Sequence, residues 1–220
     1  MRYHRASRSR KGTIGVETAI IMIAFVVVAS AVAYVVINMG FYAAQKSKET
    51  IGRGVDSASS SLELDGSVIG KVDSSGSCVE YLIIPVKLSV GKSQVDLAND
   101  TMMVTVLSSS FTIADIYEGV LDEVTALNVT DPSIEDVIDY MASNYTGKDV
   151  SLSVIYNDDD DAVLELNEKA FIIIQLDSTS HQLGPYDQAK TEIKIGTGAA
   201  LTVVRQMPPG FLADEYLDLG

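Results

Sequence analysis

The chain has 220 residues, enough for one ordinary domain with an appendage or for two small ones, and 47% are hydrophobic, so a sizeable core is within reach. Five of its 16 basic side chains (Arg2, Arg5, Arg8, Arg10 and Lys11) crowd into residues 1–12, where there is no acid. Residues 13–220 are left with 11 basic groups against 30 acidic ones, a net of -19, which repels phosphate backbones and argues against a nucleic-acid partner.

In chain order, the basic tract leads into 28 uncharged residues, Thr18–Gln45. About 20 apolar residues span a bilayer as a helix. A basic tract before an apolar run reads as a signal peptide or signal anchor, its basic side cytoplasmic and the rest translocated. An ordinary secretory signal is cut behind its apolar region. Here the unusual site stands in front of it, at Arg10-Lys11-Gly12 followed by Thr13-Ile14-Gly15-Val16-Glu17. Gly12 offers a peptidase an extended, unobstructed backbone. Cutting between Gly12 and Thr13 discards the charges and keeps the apolar helix.

The spacing predicts a helix from Ile14 to about Ser60, roughly 70 Å long. Thr18 to Ile37 is apolar all round, which only lipid or a protein interior can surround. Ala29, Ala33 and Gly40 permit close approach of neighbouring helices. The later half is amphipathic, with Ala44, Ile51, Val55, Ala58 and Leu62 on one stripe. Glu17 has two readings. One is a helix-start acid favoured by the dipole; the other is a partner for the new amino group of Thr13 on a neighbouring copy.

The tract RKGTIGVETAIIMIAFVVVASAVAYVVINMGFYAAQKSKETI, with Leu62-Glu63-Leu64-Asp65-Gly66 further on, resembles the start of archaeal flagellins (archaellins), which belong to the type IV pilin-like superfamily. The likeness is dense over residues 8–64 and looser beyond. It implies an α+β chain in three parts. Residues 1–12 are a class III (prepilin-like) signal peptide removed by a prepilin-type peptidase. Residues 13–60 are a hydrophobic assembly helix, and 61–220 an extracellular, immunoglobulin-like β-sandwich head. It further implies a non-enzymatic subunit of the archaellum filament, a helical homopolymer for swimming. The precursor would wait in the cytoplasmic membrane and be handled by a membrane platform and an assembly and motor ATPase. Two alternatives stand: an adhesive pilin using the same assembly physics, and a membrane-tethered exodomain that never polymerises.

In the head, Asp65-Gly66 and Ser74-Ser75-Gly76 read as turns. The single Cys78 has no disulfide partner and reads as a buried small hydrophobe. Period-two patterns predict strands at Val86–Val90, Val104–Val106, Val150–Tyr156 and Ile193–Ile195, with Leu201–Val204 after them. The continuous run Phe171–Ile174 predicts a strand buried on both faces. Pro85 belongs at an edge or bulge. One helix is expected, capped by Asp131 with Pro132 in its first turn, burying Ile134, Val137, Ile138 and Met141 and ending at Gly147. Seven or so strands suggest a sandwich.

Three Asn-x-Thr acceptors, at Asn99, Asn128 and Asn144, make N-linked glycans the expected modification in an extracellular compartment. The run Asn157-Asp158-Asp159-Asp160-Asp161, with Glu165 and Glu168 after it, offers hard oxygen ligands for Ca²⁺, or else a solvated hairpin tip. Ala162 stands where an EF-hand loop needs glycine. Ser180-His181 with Asp187 is a weak echo of a hydrolase set without its GxSxG elbow, and no phosphate-cradling glycine loop occurs. No cofactor is expected.

Overall fold

The computed structural model describes residues 11–58, 61–91, 94–121, 133–157, 161–177, 179–196 and 198–220. The chain divides into two units, Met1–Gly54 and Val55–Gly220.

Helix α1 runs from Lys11 to Ala58, 48 residues without a proline. It begins three residues before the predicted start. Two of its hydroxyls are satisfied within the helix: Ser30 donates to the Val27 carbonyl and Thr50 to the Lys46 carbonyl, each at 2.9 Å. Past the apolar stretch, Glu49 pairs with Lys46 at 2.9 Å and Arg53 at 2.6 Å, the three- and four-residue spacing at which helix side chains meet.

Among the described residues the head holds three sheets. The largest has the order β13 (Tyr216–Asp218), β2 (Ile69–Val72), β3 (Val79–Leu88), β10 (Lys169–Gln175), β8 (Val150–Tyr156) and β7 (Tyr117–Val120), with β1 (Leu62–Leu64) also on β3. The second runs β12 (Leu201–Gln206), β11 (Gln188–Ile195), β5 (Met102–Leu107) and β6 (Thr112–Ile113). A third pairs β4 (Gln94–Asp96) with β9 (Val163–Glu165). All ladders are antiparallel except β7 with β8. Helix α2 spans Ile134–Asn144.

The middle of the large sheet is buried on both sides. On one face Leu82, Ile84 and Val86 of β3 join Ile172 and Ile174 of β10 in a core shared with Val104, Val106, Ile193 and Val203 of the second sheet. On the other face Tyr81, Ile83 and Ile173 pack with Val137, Ile138 and Met141 of α2. Successive strand side chains point to opposite faces, so only a strand covered twice needs an unbroken apolar run. The Phe171–Ile174 segment fulfils that expectation.

Other expectations are corrected. The helix cap is Ser133, not Asp131. The Ser133 hydroxyl accepts from the Asp136 amide while the Asp136 carboxylate accepts from the Ser133 amide, a reciprocal capping box. The four predicted apolar positions do line one face, and Gly147, at φ +68, turns the chain towards β8. Pro85 sits mid-strand between two neighbours rather than at a sheet edge. It lies opposite the break between β1 and β2, and its carbonyl accepts from the Asp65 amide at 3.0 Å, so its missing N–H faces a gap in the ladder. The strand expected at Val150–Tyr156 is β8, and its alternating serines are covered as well as its apolar residues. Ser151 and Ser153 are fully buried, and the Ser153 hydroxyl lies 2.5 Å from that of Tyr117, which also donates to the Leu97 carbonyl at 2.6 Å. Burial raises the Tyr117 pKa, although the bond to Ser153 opposes the shift. Thirteen strands are described instead of seven or so, because five have only two or three residues, too few for a periodic pattern.

Candidate assembly helix and head surface sites

The apolar side chains of α1 are uncovered. From Val16 to Tyr42, every large hydrophobic side chain is between 52% and 74% exposed. These residues lie on all sides of the helix, since Val26, Val27 and Val28 point about 100° apart. A helix of this kind is long and apolar enough to cross a membrane. Ala29 and Ala33 floor a shallow groove of about 520 Å³, with Phe25, Val28, Val32, Val36 and Ile37 as its walls. Gly40 needs no explanation inside the chain, because a Cβ there would meet nothing within 4 Å. Glycine in a helix interior costs about 1 kcal/mol relative to alanine. Glu17 is exposed, two residues after the first described side-chain position, Gly15. Gly12 and Thr13 lie on the helical backbone.

On the head, Asn99 is exposed in the turn between β4 and β5. Asn144 is the exposed last residue of α2. Asn128 lies outside the described residues, as do Asp158, Asp159 and Asp160. Asp161 accepts from the Val163 amide at 2.7 Å, and Glu168 accepts from the Glu165 amide at 2.6 Å. Both carboxylates thus close local turns. The acidic run joins β8 to β9, which pairs with β4, so the two flanking strands do not make a hairpin.

The hydrolase echo is not assembled. His181 Nδ1 lies 2.7 Å from Asp149, while Asp187 accepts from the Gly184 amide at 3.0 Å. Spacing along the chain gave no signal for the Asp149 partner, 32 residues away. Cys78 is buried, and desolvation with the nearby Asp73 and Glu80 carboxylates pushes its thiol up to about 11, leaving it protonated and inert. A second pairing was also invisible in sequence. Asp65 is held by Lys169 at 2.7 Å and Lys87 at 3.0 Å, and these bonds, Lys169 first, lower its pKa.

A long uncovered apolar helix followed by a strand-rich head defines the pilin-like class of proteins. The sequence profile described as archaeal-type flagellin matches residues 12–205. Probable flagellin 1 of Aeropyrum pernix is 40% identical over 213 residues, covering 97% of this chain and 100% of the relative. Probable flagellin 2 of Archaeoglobus fulgidus is 34% identical, covering 93% of each. Among solved structures, archaeal flagellin FlaB1 from Methanocaldococcus jannaschii superposes with a TM-score of 0.55 at 14% identity, over 72% of this chain and 95% of that one. The archaeal flagellum of Methanospirillum hungatei superposes at 0.52 and 24% identity, over 90% and 98%. At those identities the structural likeness speaks for the fold. The chain belongs to the archaeal-type flagellin family.

Proposed function

We propose that this chain is the repeating subunit of an archaeal swimming filament, a structural protein without catalytic chemistry of its own. The observation that carries the reading is the uncovered circumference of α1 from Val16 to Tyr42. Such a surface is tolerable in lipid or in a protein interior, and a bundle of identical helices supplies the second. A subunit can therefore leave a membrane pool for a filament without showing its helix to water. Repetition by a non-closing rotation then yields an open helical polymer.

In this reading a prepilin-type peptidase removes residues 1–12, and a membrane platform with an assembly and motor ATPase supplies the energy. Ala29, Ala33 and Gly40 are the close-approach positions between copies. Glu17 meets the amino group of Thr13 on a neighbour, and normal assembly of a Glu17→Gln variant would count against that pairing. The head faces the outside and carries N-linked glycans on Asn99, Asn128 or Asn144. The Asp158–Asp161 run is the candidate Ca²⁺ contact, and calorimetry without heat on Ca²⁺ addition removes it. The deciding experiment for the function is electron microscopy of surface filaments with N-terminal sequencing of their subunit. A filament subunit starting at Thr13 is expected. A subunit that stays in the membrane with residues 1–12 attached refutes the reading. Deletion that spares swimming but abolishes attachment points to an adhesive pilus instead.

A further inference from the structure

The fold closes both glycan acceptors that lie among the described residues. Asn144-Tyr145-Thr146 is wound into the end of α2. The Asn144 Nδ2 donates to the Tyr140 carbonyl at 2.9 Å, the Tyr145 amide to the Met141 carbonyl at 2.8 Å, and the Thr146 hydroxyl to the Ala142 carbonyl at 2.7 Å. Each bond reaches back four residues, so the acceptor continues the helix geometry. Asn99-Asp100-Thr101 is folded into a tight turn. The Thr101 amide donates to the Ala98 carbonyl at 3.0 Å, and its hydroxyl to the carbonyls of Ala98 at 2.9 Å and Asp96 at 3.0 Å. The Asn99 β carbon is 3.6 Å from where a Gly119 Cβ would stand.

Glycan transfer makes specific demands on these atoms. The Asn amide nitrogen attacks the anomeric carbon of a sugar carried on a lipid phosphate. The new N–C bond forms as the anomeric C–O bond breaks, its electron pair leaves on the phosphate, and a base on the transferase takes one amide proton. The hydroxyl two residues on is what distinguishes an acceptor from any other Asn, so the transferase must reach it. In the folded head both hydroxyls already donate to main-chain carbonyls, and at Asn144 the reacting nitrogen is engaged too. The finished product still suits the fold, because both Asn side chains are exposed and a glycosylated amide keeps one N–H for the Tyr140 carbonyl.

We infer that Asn99 and Asn144 are glycosylated before the head folds, so that a head that folds bare is modified far more slowly than the open chain. This rests on the glycan reading above. Asn144, with amide, backbone and hydroxyl all tied, is the more tightly closed of the two.

The test uses bare, folded full-length chain made in a host without the transferase and held in mild detergent. It is incubated with membranes from an organism that glycosylates such chains, which supply the transferase and its lipid-linked donor. Two short peptides, 94–104 and 139–149, serve as open acceptors. Mass spectrometry reads glycan addition at each Asn. The peptides are expected to be modified and the folded chain to lag by about tenfold or more, as the loss of two or three hydrogen bonds implies. Equal rates for peptide and folded chain overturn the inference while leaving the glycan reading intact. Peptides that stay bare overturn both.

Discussion

Ile173 tests the three-layer head most directly. It is fully buried on β10, opposite Ile83 of β3 and Leu152 of β8, beneath Val137 and Met141 of α2. In a plain two-layer sandwich, either Ile172 or Ile173 would face water, because neighbours on a strand point to opposite sides. Ile173→Ala removes three carbons, about 2.4 kcal/mol of transfer energy at ~0.8 per carbon. The cavity beneath α2 adds to this, bringing the expected loss to about 3.5 kcal/mol, within the usual range for such truncations. For a head of this size each kcal/mol lowers Tm by about 2–4 °C, so the shift is on the order of 10 °C. Thermal unfolding in mild detergent, followed by near-ultraviolet circular dichroism of the tyrosines, measures it. A loss below about 0.5 kcal/mol, the level of an ordinary surface change, would refute the covered second face.

Removing the helix cap with Ser133→Ala is expected to cost about 1 kcal/mol in the same melt. The Asp65 carboxylate, lowered by Lys169 and Lys87 from its ordinary 3.8, contributes stability that is present above pH ~4 and drains away as pH falls through its depressed folded value. Asp65→Asn should therefore flatten the acid limb of the stability profile, and an unchanged limb would mean the pairs contribute nothing. Gly40→Leu should leave membrane insertion of the single chain intact, since a Cβ at Gly40 meets nothing within 4 Å beyond the helix's own neighbouring backbone, and yet lower filament yield. Normal yield in that variant would place Gly40 away from the contacts between copies. Finally, the net of -19 over residues 13–220 predicts that filaments loosen when salt falls to 0.01 M, where the screening length grows to about 30 Å. Sedimentation across a salt series reads the effect.

Much of the architecture was legible because one-dimensional patterns carried it. Twenty-eight uncharged residues announce α1, and Phe171–Ile174 announces a doubly covered strand. The α2 face was readable from Val137, Ile138 and Met141, but its cap was not, since Asp131 and Ser133 are both good caps and only the reciprocal bond to Asp136 decides. The β8 strand was readable from its alternation, but the burial of Ser151 and Ser153 was not. Alternation signals two unlike faces, and hydroxyls can live in a core when a partner such as Tyr117 reaches one of them. Pro85 could sit centrally because the neighbouring strand breaks beside it, a fact that belongs to another part of the chain. The same holds for His181 and Asp149, and for Asp65 with its two lysines. These pairings are set by topology, which spacing along the chain does not encode. The assembly positions on α1 were legible as a surface, but their partner residues lie on other copies.

The uncharged stretch of α1 has a length as well as a polarity. Twenty-eight residues rise about 42 Å, while the hydrocarbon core of a bilayer is about 30 Å thick. Upright in such a bilayer, Thr18–Ile37 fills the core, and the remaining stretch of about 12 Å, from Asn38 to Gln45, stands among headgroups and water with Phe41 and Tyr42. Swallowing all of it requires a tilt of about 45°, beyond the 0–40° range usual for membrane helices. Mismatch costs a fraction of a kcal/mol per ångström, so drawing that end into the core as well would cost a few kcal/mol. A sheath of sibling helices has no fixed thickness and avoids that cost. A bilayer therefore matches the uncharged length of α1 over only part of it, while a sheath of siblings can match the whole.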